Sequence, residues 1–217
     1  GYRVAIREVP GFLLIFVAAM LLRLGMARAT SVSLVIAGVG FAAFATSSSF
    51  AMVIIPTLIS SIGYHSVMQL QPALGLSLAK RGEEGAVLGR FASIGFFGSM
   101  IAMVTVFLTL LGVEQWQGNL RDHQEPYLRA FFVVAGIAAL IGAAAIFRFP
   151  ISSDDRATAR AAPRITWRRE YRLYYWLSFL DGSRMQIYFA FASFVLVEQF
   201  DVNARALTLL LIVAALI

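Results

Sequence analysis

The chain has 217 residues, of which 59% are hydrophobic and 14% charged, and its formal net charge is +6. An ordinary soluble domain carries roughly 25% charged residues, so this composition excludes a water-soluble globule and points to a core that faces lipid as well as protein. There is no cysteine, which removes disulfide frameworks, zinc sites and thiol nucleophiles. Lys80 is the one lysine among eighteen basic residues, and most of the arginines lie in short segments between apolar runs. That is the distribution of membrane flanks rather than of a groove-binding patch, so no nucleic-acid partner is expected.

Seven apolar segments follow one another: Val9–Gly25, Thr30–Ala45, Phe50–Ala79, Gly85–Val113, Tyr127–Phe149, Tyr171–Val197 and Val202–Ile217. Most approach or exceed the roughly 20 residues that span hydrocarbon as a helix. They are too long for barrel strands and lack in–out alternation. The expected fold is an all-α membrane protein, a polytopic helical bundle. Because the chain opens at Gly1 without an initiator methionine and stops inside an apolar run, it reads as an internal piece of a longer protein.

Arginine and lysine set the orientation. The connections Gly1–Glu8, Thr46–Ser49, Glu114–Arg129 and Glu198–Arg205 hold Arg3, Arg7, Arg121, Arg129 and Arg205. The alternate connections hold twelve: Arg23, Arg28, Lys80, Arg81, Arg90, Arg148, Arg156, Arg160, Arg164, Arg168, Arg169 and Arg172. The second set is assigned to the cytoplasm, with residues 80–90 and 150–170 as its main loops. Pro150–Glu170 is the longest and most basic connection, either a linker between two half-bundles resting on anionic headgroups or a plain cytoplasmic loop. Trp167, Tyr171, Tyr174, Tyr175 and Trp176 follow it as an interfacial aromatic cluster.

Small residues recur in two segments at the spacing that lets helices approach closely in lipid. These stripes are Ala92, Gly95, Ser99 and Ala102, then Ala135, Ala138, Gly142 and Ala145.

Two segments carry polar side chains far from their ends. In Phe50–Ala79, Thr57, Ser61, His65 and Gln69 repeat at intervals of four and define a stripe. Imidazole takes up and releases a proton near neutral pH, so a mid-span His65 suits ion coupling; the alternative is an imidazole satisfied by a neighbouring helix. Pro56 and Pro72 remove the usual donors of the Met52 and Met68 carbonyls. In Tyr171–Val197, Asp181 and Arg184 stand about 15 Å into the span and share a face with Tyr174 and Tyr188. Buried charge at that depth lines a cavity or pairs; a structural ion pair is the alternative. Gly182 would let a backbone or a solute come close. Arg90 is either a gating residue or a side chain reaching to the headgroups, and His123 is expected to be solvated.

Catalysis has little support: Gly-x-Ser-x-Gly, His-Glu-x-x-His and Gly-x-x-x-x-Gly-Lys are all missing. A retinal Schiff base would need a mid-span lysine, and Lys80 is at a membrane edge.

At this point the chain resembles the major facilitator superfamily of transporters. Arg7-Glu8-Val9-Pro10-Gly11-Phe12-Leu13 resembles the entry to the second helix of a bacterial branch. Ser61-Ile62-Gly63-Tyr64-His65 resembles part of the fourth, and Leu88-Gly89-Arg90-Phe91-Ala92-Ser93 the opening of the fifth. The run from Tyr174 to Ile187 resembles the seventh. Arg23-Leu24-Gly25 and Arg28 fit the basic part of the loop pattern after the second helix, but Leu22 stands where the family has Asp. The resemblance implies a partial transporter fold of about seven of twelve helices, the second to the eighth. Residues 1–149 would form an N-terminal half-bundle without its first helix. Residues 150–170 would be the inter-half loop and 171–217 the start of the second half. It further implies that the fourth and seventh helices line a central cavity, and these are the two segments with internal polar residues.

The expectation is a secondary active transporter of a small solute, coupled to protons, monomeric, in a bacterial inner membrane, with no cofactor and no metal. His65, Gln69, Ser61, Asp181, Arg184, Tyr188 and Tyr174 are its candidate substrate or coupling residues. Arg23, Arg28 and Arg90 are its candidate gating residues. The alternative is a non-transporting receptor or assembly subunit on a degenerate transporter fold.

Overall fold

The computed structural model describes residues 17, 20–21, 23–148, 168–187 and 192–216. Among them the regular structure is helical throughout, with no strand. Four helices are long and apolar enough to cross a membrane: α1 (Met26–Phe44), α2 (Phe50–Leu78), α3 (Glu84–Gln117) and α4 (Glu125–Phe147). A short 3-10 turn at Arg169–Tyr171 leads into α5 (Arg172–Ile187), and α6 spans Ala204–Leu216. Single turns occur at Leu120–His123 and Ser193–Glu198.

Local chemistry explains the boundaries. Gly25, at φ 84°, turns the chain into α1 in a conformation that L side chains rarely adopt. The helix therefore starts four residues before the expected Thr30, and Arg28 lies on its first turn with its exposed side chain free to reach water. Ser49 caps α2, its hydroxyl accepting the Met52 N–H at 3.4 Å. The Glu84 carboxylate accepts the Gly82 N–H at 2.8 Å where α3 begins. Gly118, at φ 83°, ends α3 by donating its N–H to the Glu114 carbonyl at 3.1 Å. This helix runs past Val113 through polar residues that the apolar pattern left out. The expected Tyr171–Val197 span is a 16-residue helix as far as Ile187 with a further turn from Ser193, and residues 188–191 lie outside the described set. So do residues 1–16 and 151–167, which hold most of the first apolar segment and of the basic loop.

The described helices belong to two compact units. The first takes in α1, α2, α3 as far as Gly98, and α4. Its centre is α1, which buries Ala27, Ala29, Thr30, Ser31, Ser33, Ala37, Gly38 and Gly40. One face meets α2. A Cβ on Gly40 would stand 2.6 Å from the Ser60 Cα, and one on Gly63 would stand 2.6 Å from the Ala37 Cα and 2.7 Å from the Ser33 carbonyl oxygen. The other face meets α4: a Cβ on Gly136 would come within 2.8 Å of the Gly38 carbonyl oxygen and 2.9 Å of the Ala42 Cβ. At 100° per residue these two faces of α1 are roughly 140° apart. Such backbone approaches maximise dispersion contact where lipid supplies no hydrophobic drive between helices.

Polar bonds reinforce the packing. The Ser31 hydroxyl donates to the Ala143 carbonyl at 2.8 Å, and Phe44 stacks on Phe132 with ring centroids 4.9 Å apart. Arg129, on the first turns of α4, donates to the Ala45 carbonyl at 2.7 Å and to the Ser47 carbonyl at 3.2 Å, and pairs with Glu125 at 2.7 Å. The small residues that α4 buries are Gly136 and Ala143, whereas Ala135, Ala138 and Ala145 of the expected stripe are exposed. Ala92, Gly95, Ser99 and Ala102 of α3 are exposed as well.

The second unit takes in α3 from Ser99, with α5 and α6. Leu110 and Val113 are buried on α3, and Glu114 forms an ion pair with Arg205. Most of α5 is exposed; Tyr175 and Ser183 are its half-buried residues among those described.

Candidate functional site

The site candidates on α2 are ordered by helix geometry. Gly63 touches α1, and at 100° per residue His65 stands roughly 160° away, on the opposite face. The imidazole is half-buried and its ring meets Tyr64 edge-on, with centroids 5.7 Å apart. Four-residue spacing on a 3.6-residue helix drifts about 40° per step. The stripe therefore winds around α2: Ser61 is buried, Thr57 and His65 are half-buried and Gln69 is exposed. The Thr57 hydroxyl is taken by the Val53 carbonyl at 2.7 Å.

The carbonyl left by one of the two prolines has a substitute donor. Pro56 removes the normal donor of the Met52 carbonyl, yet that oxygen accepts the Ser47 hydroxyl at 3.2 Å. The turn before the helix folds back and satisfies the group that the proline orphans. Pro56 is buried and Pro72 exposed. Between them the Ser66 hydroxyl is fully buried and has no hydrogen-bond partner among the described residues.

On α5, Asp181 and Tyr174 are both exposed, Tyr174 to 67%. Tyr174 and Tyr171 each meet Tyr175 edge-on, at 6.2 and 6.5 Å, while Trp167 of the expected aromatic cluster lies outside the described residues. The Ser183 hydroxyl returns to the Phe179 carbonyl at 2.8 Å. Arg184 has helical backbone, but its side chain, like the whole of Tyr188, lies outside the described residues, and with it the expected Asp181–Arg184 pair. His65 belongs to the first unit and Asp181 to the second.

The gating candidates are exposed arginines at helix ends. Arg23 lies in the turn before Gly25, Arg28 on the first turn of α1 and Arg90 on the second turn of α3. Among the described residues no group of three His, Cys, Asp or Glu is placed to hold a metal ion.

Two features escaped the sequence reading. Arg129 and Glu125, four apart at the start of α4, carry the i,i+4 signature of a helix ion pair. The fork from Arg129 to the α1–α2 turn has no sequence signal. Neither has the Glu114–Arg205 pair, whose partners lie in different segments.

No protein-family model, no curated protein and no solved structure matches this chain.

Proposed function

We propose that this chain is part of a secondary active transporter of the major facilitator type, moving a small solute through a membrane by alternating access with proton coupling. The observation that carries the reading is His65. It is an ionisable, half-buried side chain near the middle of a helix of membrane-spanning length, on the face turned away from the tight α1 contact. Ionisable groups at such depth are expensive unless they serve a pathway or a partner. Four apolar helices long enough to cross a bilayer support the membrane setting. The glycine contacts of α1 with α2 and α4 support a tightly packed group of three helices, the kind of body that rocking around a mid-membrane site uses.

In this reading His65 or Asp181 accepts the coupled proton. Ser61 and Gln69 of the first unit, and Tyr174, Arg184 and Tyr188 of the second, are the further proposed solute or coupling residues, and Arg23, Arg28 and Arg90 are the proposed gating residues. The protein works as a monomer in a bacterial inner membrane, and no chemical step is assigned to it.

The first experiment is a thermal-shift screen of candidate solutes on purified protein, because a ligand that binds the folded state raises its melting temperature. With a solute in hand, His65→Gln keeps the protein folded and lowers uphill uptake more than downhill exchange. Equal loss of both at normal membrane abundance removes His65 from coupling. For the second pair, Asp181→Asn leaves a cation that cannot deprotonate, so the double variant with Arg184→Gln recovers stability while transport stays lost. Normal transport by the double variant makes the pair structural. Single cysteines probed with an impermeant thiol reagent test the orientation: outside labelling of residues 156–169 in intact cells reverses it.

A further inference from the structure

Three arginines gather where α5 begins. Arg168 precedes the 3-10 turn, Arg169 lies in it and Arg172 opens the helix, and all three are exposed. None of them pairs with a carboxylate among the described residues. Glu170 is the one acid between them and is itself exposed, so the segment keeps a local excess of two positive charges.

Beyond Arg172 the helix changes character in steps. At 100° per residue Arg172, Trp176 and Phe179 fall within roughly 60° of one another, so they share a face. With a rise of 1.5 Å per residue, Trp176 lies about 6 Å and Phe179 about 10 Å further along the axis. The two rings meet edge-on with centroids 5.9 Å apart, yet keep 64% and 63% of their surface open. Leu180, beside Phe179, is open as well. The face therefore runs from guanidinium through indole to hydrocarbon. The interfacial layer of a bilayer is about 5–7 Å deep on each side of the hydrocarbon. A lipid phosphate at Arg172 thus puts the indole at the foot of the headgroups and Phe179 among the acyl chains.

Shape and charge decide what covers this face. Between Arg172 and Leu180 it offers none of the small residues through which helices approach closely in lipid, which favours a lipid over another helix. Guanidinium holds phosphate through paired N–H bonds, and every phospholipid has a phosphate. A zwitterionic headgroup brings its own cation into the company of three arginines. A headgroup of net negative charge brings none and offsets the local excess. Each basic side chain near the surface favours anionic lipid about fivefold.

We infer that the start of α5 binds an anionic glycerophospholipid, its phosphate held by Arg168, Arg169 and Arg172 and its acyl chains laid along Trp176, Phe179 and Leu180. The inference needs α5 to lie against lipid and is independent of the transport reading.

Trp116→Phe with Trp167→Phe leaves Trp176 as the single indole, which makes its fluorescence the probe. The protein is placed in vesicles of phosphatidylcholine with a minor share of phosphatidylglycerol, and bromine is carried on the acyl chains of one lipid or the other. The site predicts that brominated phosphatidylglycerol quenches well beyond its share of the lipid, a preference of about fivefold or more. Arg168→Gln, Arg169→Gln and Arg172→Gln together bring quenching down to that share. The three corresponding lysine substitutions keep the charge and retain most of the preference.

Quenching by each lipid in proportion to its share, with all three arginines present, overturns the site and leaves α5 a plain lipid-facing helix. No quenching by either lipid means that the face is covered by protein or lies away from the bilayer, which also overturns it. A preference that survives the three glutamines removes these arginines from the site. Equal loss with lysine and with glutamine means that the substitutions disturb the helix rather than its charge, and the charge argument falls.

Discussion

The contact of α1 with α2 and the exposed run of α5 use apolar residues of opposite size to opposite ends. In the first, Gly40, Gly63 and Ala37 bring two backbones so close that an added methyl has no room. In the second, Tyr174, Trp176, Leu177, Phe179 and Leu180 are each more than half exposed. Large apolar side chains thus lie where the described unit leaves them open, and the tightest contacts are made by residues with almost no side chain. In water the bulky residues would drive association. In lipid that drive vanishes between helices, and surface shape decides instead.

The comparison is broken most severely at Gly63. Replacing it by Val puts side-chain carbons against the Ala37 Cα and the Ser33 carbonyl, and backbone cannot rotate out of the way as a side chain can. A loss of about 3 kcal/mol or more is expected, read as a lower melting temperature and poor recovery of folded protein in detergent. A smaller loss comes from Arg129→Gln, which withdraws the guanidinium from the Ala45 and Ser47 carbonyls. Charge-assisted bonds of this kind are worth about 1.5–3 kcal/mol. Glu125→Gln, which leaves those two bonds in place, costs about 1 kcal/mol or less at this exposed pair.

Two serines sharpen the contrast further. Ser31→Ala removes the bond to the Ala143 carbonyl and costs about 1 kcal/mol. Ser66→Ala removes a buried hydroxyl that makes no bond among the described residues, so stability is unchanged or slightly raised. Equal losses at both positions would mean that Ser66 is engaged after all. A small gain is expected of Gly95→Ala and Gly98→Ala on α3, where nothing lies within 4 Å of the new methyl. Helix propensity alone then acts, favouring alanine by about 1 kcal/mol or less at each position.

Much of this architecture was legible in the chain, and the limits have physical causes. Uninterrupted apolar length marked α2 and α4 to within about two residues at each end, because a lipid-spanning helix needs a run that no strand or loop requires. The contact face of α4 was misplaced by one residue, at Ala135 and Ala138 rather than Gly136 and Ala139. An alanine-rich helix offers small residues on every side, so spacing cannot select among them. His65 stood out because charge and length conflict locally. The rescue of the Met52 carbonyl by Ser47 did not, since it depends on a turn whose path no periodicity encodes. The same holds for Glu114 and Arg205, which only folding brings together.

The length of α3 has a consequence for the surrounding lipid. Its 34 residues extend about 51 Å, and the stretch from Arg90 to Glu114 alone extends about 36 Å. Hydrocarbon is about 30 Å thick in an average bilayer and some 32–33 Å in the thicker, sterol-rich ones. Were α3 a span, this stretch would exceed the hydrocarbon, a mismatch taken up by tilting, by side chains reaching to the headgroups or by local thickening of the bilayer. In that setting Arg90 and Glu114 would act as the two marks of a ruler against which the thickness of the bilayer is read.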